Sequence, residues 1–268
     1  MVSKYGFIGA GQMGEAIFAG LLKKKLARPA DVHITDVNAA RTAAMHEKHG
    51  VTVETDARAV IAAAHLVVLA TKPQDMDALL QSLPQDLVKD KLFVSIAAGK
   101  PLSVLETLLP NARVVRVMPN LAMRVGEGMS CVVFSNSVTA TDRAAVIALL
   151  ECSGKVRELP ENLFDAVTAL SGSGPAFFAY VLQNFVEGAT SLGMPMDDAL
   201  FLAKQTMLGT AKVLSESDTP LADFIAQVTS KGGTTAAGRA VLEGSDTAPV
   251  IAATLKAAAD RSKELGMK

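Results

Sequence analysis

One glycine spacing constrains this chain more than any other feature. Gly9-Ala10-Gly11-Gln12-Met13-Gly14 follows an apolar run at residues 4–9. It opens a stretch, Gly11 to Leu22, with Ala16, Ile17, Gly20 and Leu21 on one helical side. A GxGxxG is weak alone, but between a strand and a helix it reads as the phosphate-cradling turn of a dinucleotide site. Gly9 permits the tight turn, Gly11 lets a pyrophosphate approach the backbone, and Gly14 lets helix and strand pack closely. The helix start at Gln12 and Met13 then presents free N–H groups and partial positive charge to the phosphates.

The rest of the first half fits a sheet built around that turn. Val32-His33-Ile34-Thr35 and residues 65–70, 92–96, 114–118 and 131–134 read as strands. Helical stretches near 39–48, 75–83 and after Pro101 alternate with them. Alternation through about residue 158 predicts a mostly parallel sheet covered on both faces. From Glu161 on, only helical patterns remain, near 162–191, 196–215, 220–228, 235–243 and 247–264. The expected architecture is an α/β domain over residues 1–160 and an all-helical domain over 161–268. A length of 268 residues suits two domains, and no internal repeat is evident.

Composition removes other classes. Apolar residues at 50% against 20% charged exclude a disordered chain. With 26 Lys+Arg against 27 Asp+Glu there is no basic excess, so no nucleic-acid partner is expected. Cys131 and Cys152 lack metal or disulfide spacing and read as small buried side chains, and no metal site is expected. Met1-Val2-Ser3-Lys4-Tyr5 leads directly into a strand without a signal-peptide pattern, and no apolar run nears the ~18 residues of a membrane span. The expectation is a cytoplasmic protein with no membrane partner.

Asp36 ends the second strand, where a carboxylate can accept from a ribose 2′-hydroxyl; as a helix N-cap it would have a structural role instead. It would repel a 2′-phosphate, and Arg41 nearby would soften that repulsion, so both NADH and NADPH stay open. Ligands in open α/β sheets sit beyond the carboxyl ends of strands. Ala70-Thr71-Lys72-Pro73, Ala97-Ala98-Gly99 and Met118-Pro119-Asn120 end later strands and are expected to line the cofactor crevice.

Two glycine-hydroxyl clusters mark the helical half. Ser171-Gly172-Ser173-Gly174-Pro175 interrupts a helical stretch, and Pro175 suits the first turn of a new helix. Thr229-Ser230-Lys231-Gly232-Gly233-Thr234-Thr235 precedes another helix and combines hydroxyls, backbone N–H groups and a lysine. Either cluster suits an anion or an amide, and either also serves as a plain capping loop.

Taken together, the glycine turn, Ser171–Ala176 and Gly232-Gly233-Thr234-Thr235 resemble pyrroline-5-carboxylate reductase. Lys72-Pro73, Val94–Gly99, Arg116–Asn120 and Asp165-Ala166-Val167-Thr168 add to the resemblance, which spans essentially the whole chain. It implies an α/β Rossmann-type N-terminal domain and an all-helical C-terminal dimerisation domain interlocked with a second subunit, pairs often assembling into rings of five. The implied reaction is hydride transfer from NADPH or NADH to the C=N carbon of 1-pyrroline-5-carboxylate, giving L-proline. Ser230, Gly233 and Thr234 would hold the substrate carboxylate, and Thr235 would act as the catalytic hydroxyl at the ring nitrogen. Gly232, Asn120 and Ser173 complete the candidate substrate-binding set. Each active site would draw cofactor from one subunit and the carboxylate loop from the other.

The residues suit that chemistry. A protonated cyclic imine is already electrophilic, so positioning suffices and no catalytic histidine is needed. The four histidines, His33, His46, His49 and His65, are expected at surface or strand-edge places. The chain departs from the family pattern at Leu121-Ala122, where Thr-Pro is usual, and at Lys231, where Pro is usual; Pro220 to Val228 is one residue longer. A related cyclic imine acid is therefore an alternative substrate, and a non-catalytic dinucleotide sensor an alternative role. A β-hydroxyacid dehydrogenase would carry a catalytic lysine where this chain has Phe178.

Overall fold

The computed structural model describes residues 4–266; the reading of the opening residues Met1 to Ser3 lies outside them. Eight strands form one sheet: β1 (Tyr5–Ile8), β2 (Val32–Thr35), β3 (Thr52–Val53), β4 (Leu66–Leu69), β5 (Leu92–Ser95), β6 (Arg113–Met118), β7 (Gly128–Phe134) and β8 (Gly154–Glu158). Their order is β3-β2-β1-β4-β5-β6-β7-β8. The connecting helices are α1 (Gln12–Lys23), α2 (Ala39–His49), α3 (Ala57–Ala63), α4 (Pro73–Gln81), α5 (Gln85–Val88), α6 (Leu102–Leu108) and α7 (Ala140–Glu151).

Strands β1, β2, β4 and β5 are buried at every position, as a sheet covered on both faces requires. Alternate side chains feed two cores. Phe7, Ile34, Val68 and Val94 meet Ile17, Phe18 and Leu21 of α1 on one face. Ile8, Val67, Leu69 and Phe93 meet Met76, Leu80 and Leu105 of α4 and α6 on the other. All strand pairs are parallel except β6 with β7. There the chain returns through a short 3₁₀ turn, Leu121–Val125, and a left-handed Gly126, too few residues for a parallel crossover.

The strands β3 and β8, and the helices α3, α5 and α7, are not among the sequence expectations. Strand β3 has two residues, and β8 is a half-exposed edge strand, Gly-Lys-Val-Arg-Glu, with little apolar alternation. Among the histidines, His33 departs from the surface expectation. It is buried in β2, and its Nδ1 lies 2.7 Å from Glu54 Oε1. Cys131 is buried and Cys152 half-buried.

Beyond β8 no strand occurs among the described residues. Helix α8 (Phe164–Val167) runs through a π-helical turn, Thr168–Gly172, into α9 (Gly174–Ser191); α10 (Met196–Glu216), α11 (Leu221–Gln227), α12 (Thr234–Glu243) and α13 (Thr247–Gly266) follow. The chain packs as two compact units. One runs through Ser173 and resumes at Ala258; the other is Gly174–Ala257. The division falls later than the change from strands to helices at Pro160-Glu161, and the reason is local. The Glu161 carboxylate accepts from the Leu102 N–H at 2.6 Å and from Arg116 at 2.7 Å. The Arg116 guanidinium also lies over the Phe164 ring, 4.7 Å from its centre. These contacts hold residues 161–164 on the sheet unit.

The second unit buries few side chains of its own. Val186 and Ala199 are its buried apolar residues among those described, while Phe178, Tyr180, Phe185 and Phe201 are exposed. No helix among the described residues is long and apolar enough to cross a membrane.

Candidate active site

The strand order reverses between β1 and β4, where a crevice opens beyond the carboxyl ends of the strands. A cavity of about 880 Å³ lies there, lined by Gly9, Gly11, Asp36, Ala70, Thr71 and Lys72, with Asn38, Arg41 and Arg58 also on its wall. Six of the thirteen candidate cofactor residues thus share one cavity. Gln12, Met13 and Gly14 form the first turn of α1; Pro73 starts α4; Ala97, Ala98 and Gly99 follow β5.

The glycine turn is fixed from several sides. Gly9 has φ +101°, and a Cβ there would lie 2.6 Å from the Ala70 carbonyl carbon and oxygen. A Cβ on Gly14 would lie 2.6 Å from the Gly9 oxygen. The Gly9 N–H donates to Thr35 O at 2.8 Å and the Ala70 N–H to Ile8 O at 2.8 Å, so β1, β2 and β4 all hold the turn. Gly11 differs, because nothing lies within 4 Å of where its Cβ would be. It is the N-cap of α1, and no side chain caps that helix. The first N–H groups of α1 therefore face open space, and a pyrophosphate fits both the room and the charge.

Asp36 is engaged by the protein. Its Oδ2 accepts from the Ala10 N–H at 2.8 Å and from Arg41 at 3.2 Å, and its Oδ1 accepts from the Asn38 N–H at 2.9 Å. Burial pushes its pKa up, but the Asn38 and Ala10 amides and Arg41 outweigh burial and hold it below the usual carboxylate range. Asn38, not Asp36, is the N-cap of α2, its side chain accepting from the Arg41 N–H. Asn38 and Arg58, absent from the sequence-derived set, also line the cavity. The run Asp36-Val37-Asn38-Ala39-Ala40-Arg41 held the signal for Asn38, as a capping residue just before a helix.

Asn120 and Ser173 belong to the sheet unit. The Asn120 side chain accepts from the Met129 N–H at 3.1 Å and donates to Ser171 Oγ at 3.3 Å. Ser171 lies in the π-turn, and the expected fresh helix start is a continuation instead: the Ser173 N–H donates to Thr168 O at 2.8 Å, and Ser173 keeps right-handed helical angles. The backbone widens by one residue there rather than breaking, a distortion frequent at functional sites.

Ser230, Gly232, Gly233, Thr234 and Thr235 lie in the second unit. The Gly233 N–H donates to Ser230 O at 3.0 Å and Gly232 has φ +71°, so Ser230–Gly233 is a type II turn. Gly233 is the N-cap of α12, which no side chain caps. Thr234 and Thr235 are exposed in the first turn of α12, and Ser230 and Lys231 are exposed before it. Among the described residues no group of three or more His, Cys, Asp or Glu could hold a metal ion.

Residues 161–265 match the family described as pyrroline-5-carboxylate reductase dimerisation, and residues 4–99 match NADP oxidoreductase coenzyme F420-dependent. The chain is 39% identical over 266 residues to a pyrroline-5-carboxylate reductase of Methanosarcina acetivorans, covering 99% of this chain and 98% of that one. Among solved structures, a pyrroline-5-carboxylate reductase of Coxiella burnetii is 30% identical with a TM-score of 0.93, covering 98% of each chain. A pyrroline carboxylate reductase of Plasmodium falciparum with NADP bound is 25% identical with a TM-score of 0.88, also covering 98% of each chain.

Proposed function

The chain belongs to the pyrroline-5-carboxylate reductase family, and from that premise we propose how its residues divide the work of reducing 1-pyrroline-5-carboxylate to L-proline. Bound NADPH or NADH supplies the hydride that the C=N carbon receives. In this reading residues 1–160 form the dinucleotide-binding domain and residues 161–268 the dimerisation and substrate domain. The α1 N-terminus, with Gly9, Gly11, Gln12, Met13 and Gly14, holds the pyrophosphate. Asp36 fixes the turn through the Ala10 amide and faces the ribose, with Arg41 balancing its charge. Ala70–Pro73 and Ala97–Gly99 form the walls that orient the cofactor.

The substrate carboxylate is held by Ser230, Gly232, Gly233 and Thr234, where the α12 N-terminus adds partial positive charge. The Thr235 hydroxyl sits at the ring nitrogen, with Asn120 and Ser173 completing the substrate pocket. The imine enters protonated, so one hydride to carbon completes the amine and the chain contributes positioning rather than a strong base. The chain self-associates through its helical domain. The exposed Phe178, Tyr180 and Phe185 on α9 support an interlocked homodimer, with cofactor from one subunit and the carboxylate loop from the other. Further assembly of five such dimers, and a cytoplasmic location, belong to the same reading.

The observation that carries the assignment is the uncapped start of α1 opening into the switch-point cavity, in a chain similar over its length to these reductases. The test is oxidation of NADPH and of NADH, in parallel, with racemic pyrroline-5-carboxylate. Rapid loss with L-proline as product is expected. A protein that binds either cofactor but consumes neither would refute the assignment and favour a dinucleotide sensor.

A further inference from the structure

Helix α13 ends on the loop that follows β5. Ser262, near that end, is 4% exposed although Arg261 and Lys263 beside it are exposed. Its hydroxyl donates to Asp165 Oδ1 at 2.7 Å. Asp165 stands in α8, next to Phe164, which is buried in the sheet unit. A few residues on, the α13 backbone meets Gly99. A Cβ on Gly99 would lie 3.2 Å from the Leu265 carbonyl carbon and 3.3 Å from the Gly266 nitrogen. A Cβ on Gly266 would in turn lie 3.2 Å from the Gly99 oxygen. Gly99 itself has φ +71°, which only glycine adopts without strain.

These contacts answer a physical need. Ala97 packs into the sheet core, but Ala98 and Gly99 have almost no side chain with which to anchor the loop. Its position must come from the backbone beyond β5 and from whatever lies against it. Lys100 ties the far end of the loop to Asp77 at 2.8 Å, the last turn of α13 lies against Gly99, and the Ser262–Asp165 hydrogen bond ties that turn to α8. A buried hydroxyl on a carboxylate is directional, so it sets the turn's position as well as its stability.

We infer that the end of α13 is a brace for the Ala97–Gly99 wall of the cofactor crevice, with Ser262 and Asp165 as positioning residues for the cofactor. The inference rests on the reading of Ala97–Gly99 as a cofactor wall. Neither residue touches the reacting atoms, so the effect falls on cofactor affinity and spares the chemical step.

The experiment uses the full chain and measures the Kd of NADPH, the KM of cofactor and imine, kcat, and melting at one fixed concentration. Ser262→Ala is expected to raise the cofactor Kd and KM about three- to tenfold, within what one charge-assisted buried hydrogen bond supplies. The imine KM and kcat should stay within about twofold, as expected when only cofactor binding is lost. Asp165→Ala should match Ser262→Ala, and the double variant should be no worse than either, because both remove one interaction. Asp165→Asn, which keeps an acceptor oxygen, should bind cofactor nearly as the parent does. Gly99→Ala separates the two readings. If it weakens cofactor binding while Ser262→Ala does not, the brace is wrong and the crevice wall stands. If neither variant changes cofactor binding, both are wrong. If Ser262→Ala lowers melting and raises both KM values in parallel, and Asp165→Asn does the same, the contact is merely structural and the brace is refuted.

Discussion

Among the described residues, α1 and α12 each have a glycine as N-cap and no side-chain cap, and their surroundings differ sharply. The start of α1 is enclosed by its own chain. Strands β1, β2 and β4 hold Gly9 and Ala70 by backbone hydrogen bonds, Asp36 clamps the Ala10 amide, and Ala16, Ile17 and Phe18 bury the helix behind it. The start of α12 has little of this. No residue of α11 or α12 is buried, and the turn before α12 is held by one backbone hydrogen bond. One chain therefore completes the proposed phosphate cradle, whereas the proposed carboxylate loop has geometry without a wall. Helix polarity alone is worth only ~0.3–1 kcal/mol at an exposed end. A loop of this kind gains strength when something excludes water from it, and a second subunit is the natural source.

The largest expected effect tests that difference directly. Phe185 is 60% exposed on α9. Phe185→Glu would place a charge in the proposed subunit interface, where an unpaired buried charge costs several kcal/mol. Light scattering should show monomer, and imine reduction should fall by about a hundredfold or more, the scale of a lost interface anchor. The Kd for NADPH should be nearly unchanged, because α1 is enclosed within one chain. If the monomer reduces the imine normally, the shared site is wrong.

Next comes Gly9→Ala. Its Cβ would meet the Ala70 backbone at 2.6 Å and the residue would sit at φ +101°. Backbone strain of this kind costs ~1–3 kcal/mol, so cofactor affinity should fall about ten- to a hundredfold, with lower melting. Gly232→Ala is the counterpart in the open loop. Its φ of +71° is strained for alanine, but nothing lies near its Cβ. About tenfold in the imine KM is expected from ~1 kcal/mol or somewhat more of strain, with melting lower by about 2–4 °C and the cofactor Kd almost unchanged. Equal effects on both ligands in both variants would erase the contrast between the two helix starts.

The same contrast explains what the sequence revealed. Gly9, Gly11 and Gly14, the four fully buried strands and the change to helices after Pro160 were legible because each is a local rule acting where the core agrees with it. Strands β3 and β8 were not, since one is two residues long and the other is a polar edge. The π-turn at Thr168–Gly172 was read as a helix break, because Gly and Ser weaken a helix without specifying how it yields. Tertiary contacts were invisible for a plainer reason. Glu161 on Leu102 spans 59 residues and Ser262 on Asp165 spans 97, and no local pattern encodes either pairing.

Asp36 gives a smaller, pH-dependent effect. Its pKa is lowered in the fold, so its carboxylate stabilises the native state above the unfolded value near ~4. That contribution disappears as pH falls through the lowered folded value. Thermal melts between pH ~3 and 6 should show the parent losing stability toward the acid end. Asp36→Asn should lose that part of the pH dependence while binding cofactor severalfold more weakly at neutral pH. An unchanged acid limb would mean that the Ala10 clamp does not contribute to stability.

The smallest expected effect is a gain. Lys231 occupies the second position of the Ser230–Gly233 turn, and Gly232 with φ +71° occupies the third. That is a type II turn, in which proline is favoured at the second position and glycine at the third. Proline is also what the family pattern usually carries there. The lysine is exposed, so its replacement removes no burial. Lys231→Pro lowers the entropy of the unfolded chain where the native angles already suit it, worth ~0.4–1 kcal/mol. In a chain of this size that corresponds to about 1–4 °C in melting temperature. A stiffer loop should also lower the imine KM modestly, leaving the cofactor Kd unchanged. If the imine KM instead rises while melting improves, the Lys231 ammonium itself contacts the substrate carboxylate, and this loop replaces rigidity with charge.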